Sequence, residues 1–333
     1  MRRCLLIVPL CLATAASMPI SGCRQPEKTV QRQSCFLMDT YCTIQVPGTA
    51  EVAGAISNAF ARMQDIDRRF NALNSSSPVY RFNQSGTPIE DGDIVDLVRT
   101  ALDVSERTDG AFDITVYPLV EEWGFYGRTP QVPDRARLEA ARSKVGWRNL
   151  AIEDGKVVRR RDDVRIDLGA IAKGYAVGEA ARVLKAAGIR SALVDASGDI
   201  YAYGRIDGRP WRVGIRNPRG AGIIGTIELS DQSVATSGDY ERYFERDGVR
   251  YHHLLDPHTG FPARGAISVS IVSSNATLAD AWSTGVFVLG PERGLSLVER
   301  LPGVEAFTVR ASGETVCSPG FKDRLRPVAP PGE

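Results

Sequence analysis

The sequence has no surplus of either charge. Its 333 residues carry 41 Lys and Arg against 40 Asp and Glu, where a nucleic-acid binder wants a strongly basic face. Histidine is scarce. Its three copies, His252, His253 and His258, fall within seven residues, at a spacing that matches no common zinc pattern. Apolar runs long enough for a comfortable membrane span are missing as well, since the run over residues 5–16 is too short. A hydrophobic content of 43% with 24% charged residues suits a soluble globular protein of one large or two ordinary domains.

What surrounds the short apolar run is informative. Arg2 and Arg3 precede it, and Ile20-Ser21-Gly22-Cys23 follows it. A basic start, a short apolar stretch and small residues before a cut describe a secretory signal over residues 1–22. A Cys directly after Ile-Ser-Gly resembles a lipoprotein signal, in which Cys23 is lipidated and becomes the first mature residue. An ordinary signal cut nearby is the alternative. Losing Arg2 and Arg3 takes 41 basic residues to 39 against 40 acidic ones, so the mature net charge is −1. Cys4 and Cys11 leave with the signal, which leaves Cys35, Cys42 and Cys317 besides Cys23. An odd number argues against a disulfide framework. A single Cys35–Cys42 or Cys35–Cys317 bridge stays open. The polar residues 23–34 read as a tether and 326–333 as a loose tail.

Between these ends, strands are expected over 36–46, 192–195, 211–215, 226–229 and 267–271. Helices are expected over 50–67, after Asp91 and Asp93, from Lys173 to Ala187, and from Ala276 towards Leu289. Gly188 and Gly290 end the last two. Ile267, Val269 and Ile271 alternate with Ser268 and Ser270, the mark of a half-buried strand. Strands often follow one another without a helix between them. The expected class is therefore α+β with largely antiparallel sheets packed against helices, not a doubly wound parallel sheet.

Four runs carry candidate chemistry. Asp167-Leu168-Gly169-Ala170-Ile171-Ala172-Lys173-Gly174 puts a carboxylate and an ammonium around a small-residue turn that enters a helix, and helix starts favour anions. It lacks the glycine spacing and the Ser or Thr of a P-loop; a tightly packed strand-to-helix junction is the plainer reading. Asp280 and Thr284 are four apart, hence on one helix face, and their hard oxygens suit magnesium or calcium. A helix-start Asp with a back-bonding Thr is the alternative. The His cluster runs into Asp256-Pro257-His258-Thr259-Gly260, and a His beside a phosphate site suits a general base. Gly110-Ala111-Phe112-Asp113 is an aromatic turn that either flanks a planar ring or is simply core. Gly220-Ala221-Gly222-Ile223-Ile224-Gly225 formally matches GxGxxG but opens no helix, so it reads as a hairpin loop.

In combination the runs resemble the FAD:protein FMN transferases, the ApbE-like flavin transferases. The matching segments, in order, are Met38-Asp39-Thr40, Arg81-Phe82-Asn83, residues 110–119 with Trp123-Gly124-Phe125, residues 167–176, Ser197-Gly198-Asp199, residues 253–260, and 280–284 with 287–290. They span essentially all of 35–320, and the resemblance makes 35–325 one domain. It implies an exported, lipid-anchored enzyme at a bacterial membrane. That enzyme would split magnesium-bound FAD, transfer FMN to a Ser or Thr hydroxyl of an exported redox protein, and release AMP. It further implies metal contacts at the Ala170 carbonyl, Asp280 and Thr284, with Ser283 beside them. FAD contacts would come from Met38, Ala111, Phe112, Asp113, Asp167, Lys173 and Leu254, and His253 would activate the acceptor hydroxyl. Two functions compete: an FAD pyrophosphatase giving FMN and AMP, and a non-catalytic flavin-binding lipoprotein.

The chain departs from the family pattern in places. The usual Met-Gly-Thr is Met38-Asp39-Thr40, which adds a carboxylate near the nucleotide. The usual Gly-Gly-Asp/Glu is Ser197-Gly198-Asp199, which is expected to require a negative φ at Ser197. Leu73 stands where an aromatic often precedes the Arg-x-Asn run.

Overall fold

Alternating apolar residues organise the chain around one large sheet. The structure, a computed structural model, describes residues 29–126 and 129–328. Eight strands form the sheet: β1 (Val30–Leu37), β2 (Thr40–Pro47), β3 (Ala192–Ala196), β4 (Asp199–Tyr203), β5 (Gln232–Gly238), β6 (Ala266–Ser273), β7 (Glu305–Arg310) and β8 (Thr315–Cys317). Each pairs with its sequence neighbour, antiparallel throughout. The α+β class with antiparallel sheets is therefore what the chain adopts. The long excursions between strands carry everything else.

One face of the sheet is covered by three helices, Ala53–Phe70, Ala172–Ala186 and Ala276–Leu289. The other face holds a second, smaller core. There the Trp211–Arg216 and Ile223–Leu229 hairpin contributes Trp211, Val213, Ile227 and Leu229, and Phe321 closes one end. This second layer explains a correction at β6. The sequence pattern marked it half-buried, yet all eight of its residues are buried. A bulge between Ala266 and Ser268 shifts the phase. Val269 and Ile271 enter the helix-side core, while Ile267 and Val272 enter the other.

Other expectations are corrected near the ends. The single strand expected over 36–46 is a hairpin, β1 and β2, turning at Met38-Asp39. Residues 30–34 of the expected tether belong to β1, which begins at Val30. At the C-terminus, Arg326–Pro327 pairs with the Ile223–Leu229 strand, and Val328 donates to the Ile224 carbonyl. That part of the expected loose tail is thus held in place. Helix Pro78–Ser85 was not anticipated. Its short length hides any period, although Ser77 caps it and Pro78 sits at its first turn. The signal segment and Cys23 lie outside the described residues. Cys35 and Cys42 face each other across the β1–β2 ladder, and both they and Cys317 are free thiols.

Candidate active site

Two helices cross at Gly174, and that crossing builds the floor of the site. A Cβ on Gly174 would lie 2.3 Å from the Ala276 carbonyl and 2.6 Å from the Asp280 Cβ. Only glycine permits so close an approach. The result is that Asp280, from helix Ala276–Leu289, reaches the start of helix Ala172–Ala186. No side chain of its own caps that start. The Asp280 carboxylate accepts from the Gly174 N–H at 2.8 Å and from the Lys173 N–H. The anion that the helix start favours is therefore, in the free protein, Asp280 itself.

Beside it, the Lys173 ammonium pairs with Asp199 of β4. Burial works against that charge, but Asp199 and Asp280 outweigh it and hold Lys173 protonated. Burial first, and then Asp199, push the Asp280 carboxyl up to about 7. When both buried carboxylates are ionised, the floor carries one more negative charge than its single ammonium balances. One Asp199 oxygen has no hydrogen-bond partner.

The wall above the floor is held by side chains that grip backbone. Asn83 accepts from the Ile166 N–H at 2.7 Å and donates to its carbonyl at 2.8 Å. This fixes the turn that presents Asp167 and Ala170. Asp167 accepts from Gly169 N–H at 2.9 Å and from the Tyr126 hydroxyl at 3.1 Å. Asp113 is buried, and burial pushes it up to about 6. Its two oxygens are taken by Thr115 and by the Trp147 N–H, so it builds the wall through its neighbours. Phe112 is 1% exposed and belongs to the main core.

On the opposite side, His253 follows the hairpin formed by Tyr243–Arg246 and Val249–His252. Its Nδ1 lies 3.3 Å from the Arg242 carbonyl. A proton on Nδ1 directed there leaves Nε2 as the acceptor. Burial, with the Arg242 guanidinium adding to it, lowers His253 to about 3, so the ring is neutral at working pH. His252 is different in kind. It is buried, 3.0 Å from the Ala263 carbonyl and edge-on to Phe287. His258 sits in a turn where Asp256 accepts from its N–H and from Thr259. The three histidines therefore do not act as one cluster. Among the described residues no three His, Cys, Asp or Glu side chains converge as a metal nest.

Met38, Ala111, Phe112, Asp113, Asp167, Ala170, Lys173, His253, Leu254, Asp280 and Thr284 all line one cavity of about 450 Å³. Ser283 does not line it. It is fully buried, donating to the Asp280 carbonyl at 2.8 Å and paired with Ser237. The hydroxyl that Ser237 shares with Thr284, 3.2 Å away, does face the cavity. Ser237, Tyr126 and Arg242 also line the cavity, and none of them falls within the runs that carry candidate chemistry. Asp199 was visible in a motif but without its partner Lys173.

The turns at the rim are strained. Met38 and Asp39 have φ of +54° and +58°, the pair of values a two-residue type I′ hairpin demands. Glycine, which the family resemblance leads one to expect at the second position, is replaced here by Asp39. Ser197 also has a positive φ, +54°, against the expectation of a negative one. The tight β3–β4 turn imposes it, helped by Asp195 accepting from the Gly198 N–H at 2.9 Å.

The comparisons with known proteins agree with one another. The sequence profile of the ApbE family matches residues 38–308. The FAD:protein FMN transferase of Vibrio cholerae is 34% identical over 299 residues, covering 86% of this chain and 90% of that protein. That of Escherichia coli K12 is 32% identical, covering 93% and 95%. The crystal structure of the ApbE protein from Thermotoga maritima superposes with a TM-score of 0.84 at 36% identity, over 90% of this chain and 100% of that one. The apo flavinyl transferase ApbE of Pseudomonas stutzeri gives 0.80 at 35%, over 89% and 97%.

Proposed function

Because the chain belongs to the ApbE family and is a flavin transferase, we propose that it moves FMN from FAD to a Ser or Thr hydroxyl of an exported redox protein, with magnesium, and releases AMP. The observation that carries the proposal is the convergence of the Lys173–Asp199–Asp280 floor with the Asp167 turn and His253 around one cavity. FAD's pyrophosphate is the anionic, cleavable part of that substrate. A floor that places an ammonium beside an excess carboxylate charge suits a cation–phosphate pair.

The residues fit a magnesium ion. Asp280, the Ala170 carbonyl and the Thr284 hydroxyl are hard oxygen donors, and magnesium characteristically takes one or two carboxylates with the rest of its shell from water and phosphate. With both carboxylates ionised, a divalent ion would take the floor from −1 to +1, opposite in sign to the pyrophosphate. When bound, it supplies neutralisation of the phosphate charge. Lys173 provides a fixed cation that needs no reorganisation during reaction. Asn83 and Asp167 fix the turn against which the nucleotide lies. Met38, Leu254 and Leu73 offer apolar surface at the wall and mouth.

In the transfer, the acceptor oxygen bonds to the FMN phosphorus as the phosphorus–oxygen bond to AMP breaks. AMP leaves with the electron pair. The neutral His253 accepts the hydroxyl proton at Nε2, a role the phosphate charge supports by raising the ring's proton affinity. The N-terminal residues support an exported, lipid-anchored form attached through Cys23.

Two experiments test the proposal. The purified chain is incubated with FAD, magnesium and the acceptor domain modified by the Vibrio cholerae enzyme, with that enzyme as control. A mass gain of one FMN on the acceptor Ser or Thr is expected, and none when EDTA is present during the incubation. AMP release at the same rate without acceptor would favour hydrolysis instead. For the anchor, Cys23→Ser should move the protein from the membrane to the soluble fraction of the expressing cell.

A further inference from the structure

The three most exposed large hydrophobic side chains among the described residues are Tyr41 at 72%, Phe36 at 61% and Leu73 at 49%. All three lie at or near the active-site cavity. Leu73 lines the mouth itself. Phe36 and Tyr41 lie directly opposite each other on β1 and β2, two residues from the Met38-Asp39 turn that also lines it. At about 3.3 Å per strand residue they are within roughly 7 Å of the rim. Their rings pack edge to face at 5.4 Å, so they form one preorganised knob.

Beneath that knob runs an open trough of about 740 Å³ between β1 and helix Ala53–Phe70, lined by Phe36, Leu37, Ala61, Gln64, Arg68 and Asn74 among others. Asp67 and Asn71 line both the trough and the active-site cavity, so the two adjoin. The carboxylates along it are already engaged. Asp65 pairs with Arg62, Arg68 and Arg69, and Asp67 accepts from the Met38 N–H at 3.1 Å. Asp67 alone among these charges has no ion-pair partner among the described residues. Among the described residues β1 pairs on one side only, with β2, and an open strand edge is a template for an added strand.

A protein must bring its hydroxyl to this mouth for FMN to be transferred, and the Phe36–Tyr41 knob is exposed apolar surface close beside it. We propose that the flavin-acceptor protein docks here, laying an extended segment beside its hydroxyl residue along the β1 edge and packing an apolar side chain against Phe36 and Tyr41. This rests on the transferase reading above and names the surface by which its protein substrate is recognised.

The test uses the full mature chain and the acceptor domain modified by the Vibrio cholerae enzyme. Phe36→Ser/Tyr41→Ser should raise KM for the acceptor at least tenfold and weaken acceptor binding equally in calorimetry. Its kcat at saturating acceptor, FAD affinity by flavin fluorescence and melting temperature should stay those of the parent. Tyr41→Ser alone should give an intermediate KM. An unchanged KM and acceptor affinity would overturn the proposal. So would a parent dimer that the double substitution dissociates while acceptor affinity stays the same, which would mean a second copy covers the face. Loss of liposome binding in the Cys23→Ser background, again with acceptor affinity unchanged, would mean a lipid surface does. A parent that binds acceptor but transfers no FMN would instead count against the transferase chemistry and leave the docking result standing.

Discussion

At the floor of the cavity, Lys173, Asp199 and Asp280 are fixed by two helices crossing at Gly174 and by a strand beneath them. At the rim, the Met38-Asp39 turn, Leu73 and Arg242 hang from hairpins and loops. Asp280 is 3% exposed and Asp199 is 1% exposed, whereas the Asp39 side chain is 76% exposed and meets Arg242 at 3.4 Å. The same pairing of carboxylate with cation therefore has different consequences. At the floor, removing one partner leaves a buried charge uncompensated, which is costly. At the rim, water and salt screen the pair, and such pairs are worth about 0–1 kcal/mol. A floor can hold chemistry in register; a rim can vary to suit a partner.

The sharpest way to break this contrast is Asp280→Asn. It keeps the side chain's volume and an oxygen for the Gly174 N–H but removes the charge. FMN transfer should fall by about a hundredfold or more, on the scale of losing one preorganised electrostatic group; because Lys173 keeps Asp199 as its partner, no buried charge is left uncompensated and the melting temperature should change little. Transfer within threefold of the parent would show that the floor's charge is dispensable.

Next in size is Gly174→Ala. The added methyl meets the Ala276 carbonyl at 2.3 Å, and overpacking of this sort costs about 1–3 kcal/mol. A denaturant midpoint that does not fall would mean the helices can part without loss.

Proton uptake gives a third test. Burial lowers His252 to about 4, and burial with Arg242 lowers His253 to about 3, against roughly 6.5 when unfolded. The stability tied to these neutral rings is complete above the unfolded value and is lost as pH falls toward the folded values. Ring NMR signals of His252 and His253 that stay neutral at pH 5, with stability declining below pH 6.5, are expected. A His253 that titrates near 6 in the free protein would show that it is solvated like the rim.

The smallest effect is expected from Asp39→Gly. It relieves a positive φ of +58° and removes the exposed contact to Arg242. These changes oppose each other, so stability should move by less than about 1 kcal/mol and transfer by less than threefold. A tenfold loss would place Asp39 functionally with the floor.

Much of the fold was legible where periodicity was long. The helices over Ala53–Phe70 and Ala172–Ala186 follow their apolar spacing, and Gly188 and Gly290 mark the expected ends. Periodicity misled at β6, because a second layer buries its other face and a bulge shifts its phase. It was silent at Pro78–Ser85, which is too short to show a period. Among the site residues, Lys173, Asp280 and Thr284 stood in recognisable runs. Ser237 and Arg242 did not, since one lies in a plain strand and the other in a loop. Ser283 looked equivalent to Thr284 in sequence, yet one step around the helix turns it into the protein.

By itself the sequence determined which chemistries were available: one ammonium, several carboxylates and three histidines in short runs, with no basic surplus and no zinc spacing. Local runs are enough for that, because residue type sets charge and donor character. Only the tertiary structure decided which groups meet. Lys173 reaches Asp199 across 26 positions, and the Gly174 N–H reaches Asp280 across 106. Those meetings depend on a missing Cβ at one helix crossing and on the order of strands beneath it. The energy that fixes them comes from burying the faces of helices and sheet together, which no short run contains.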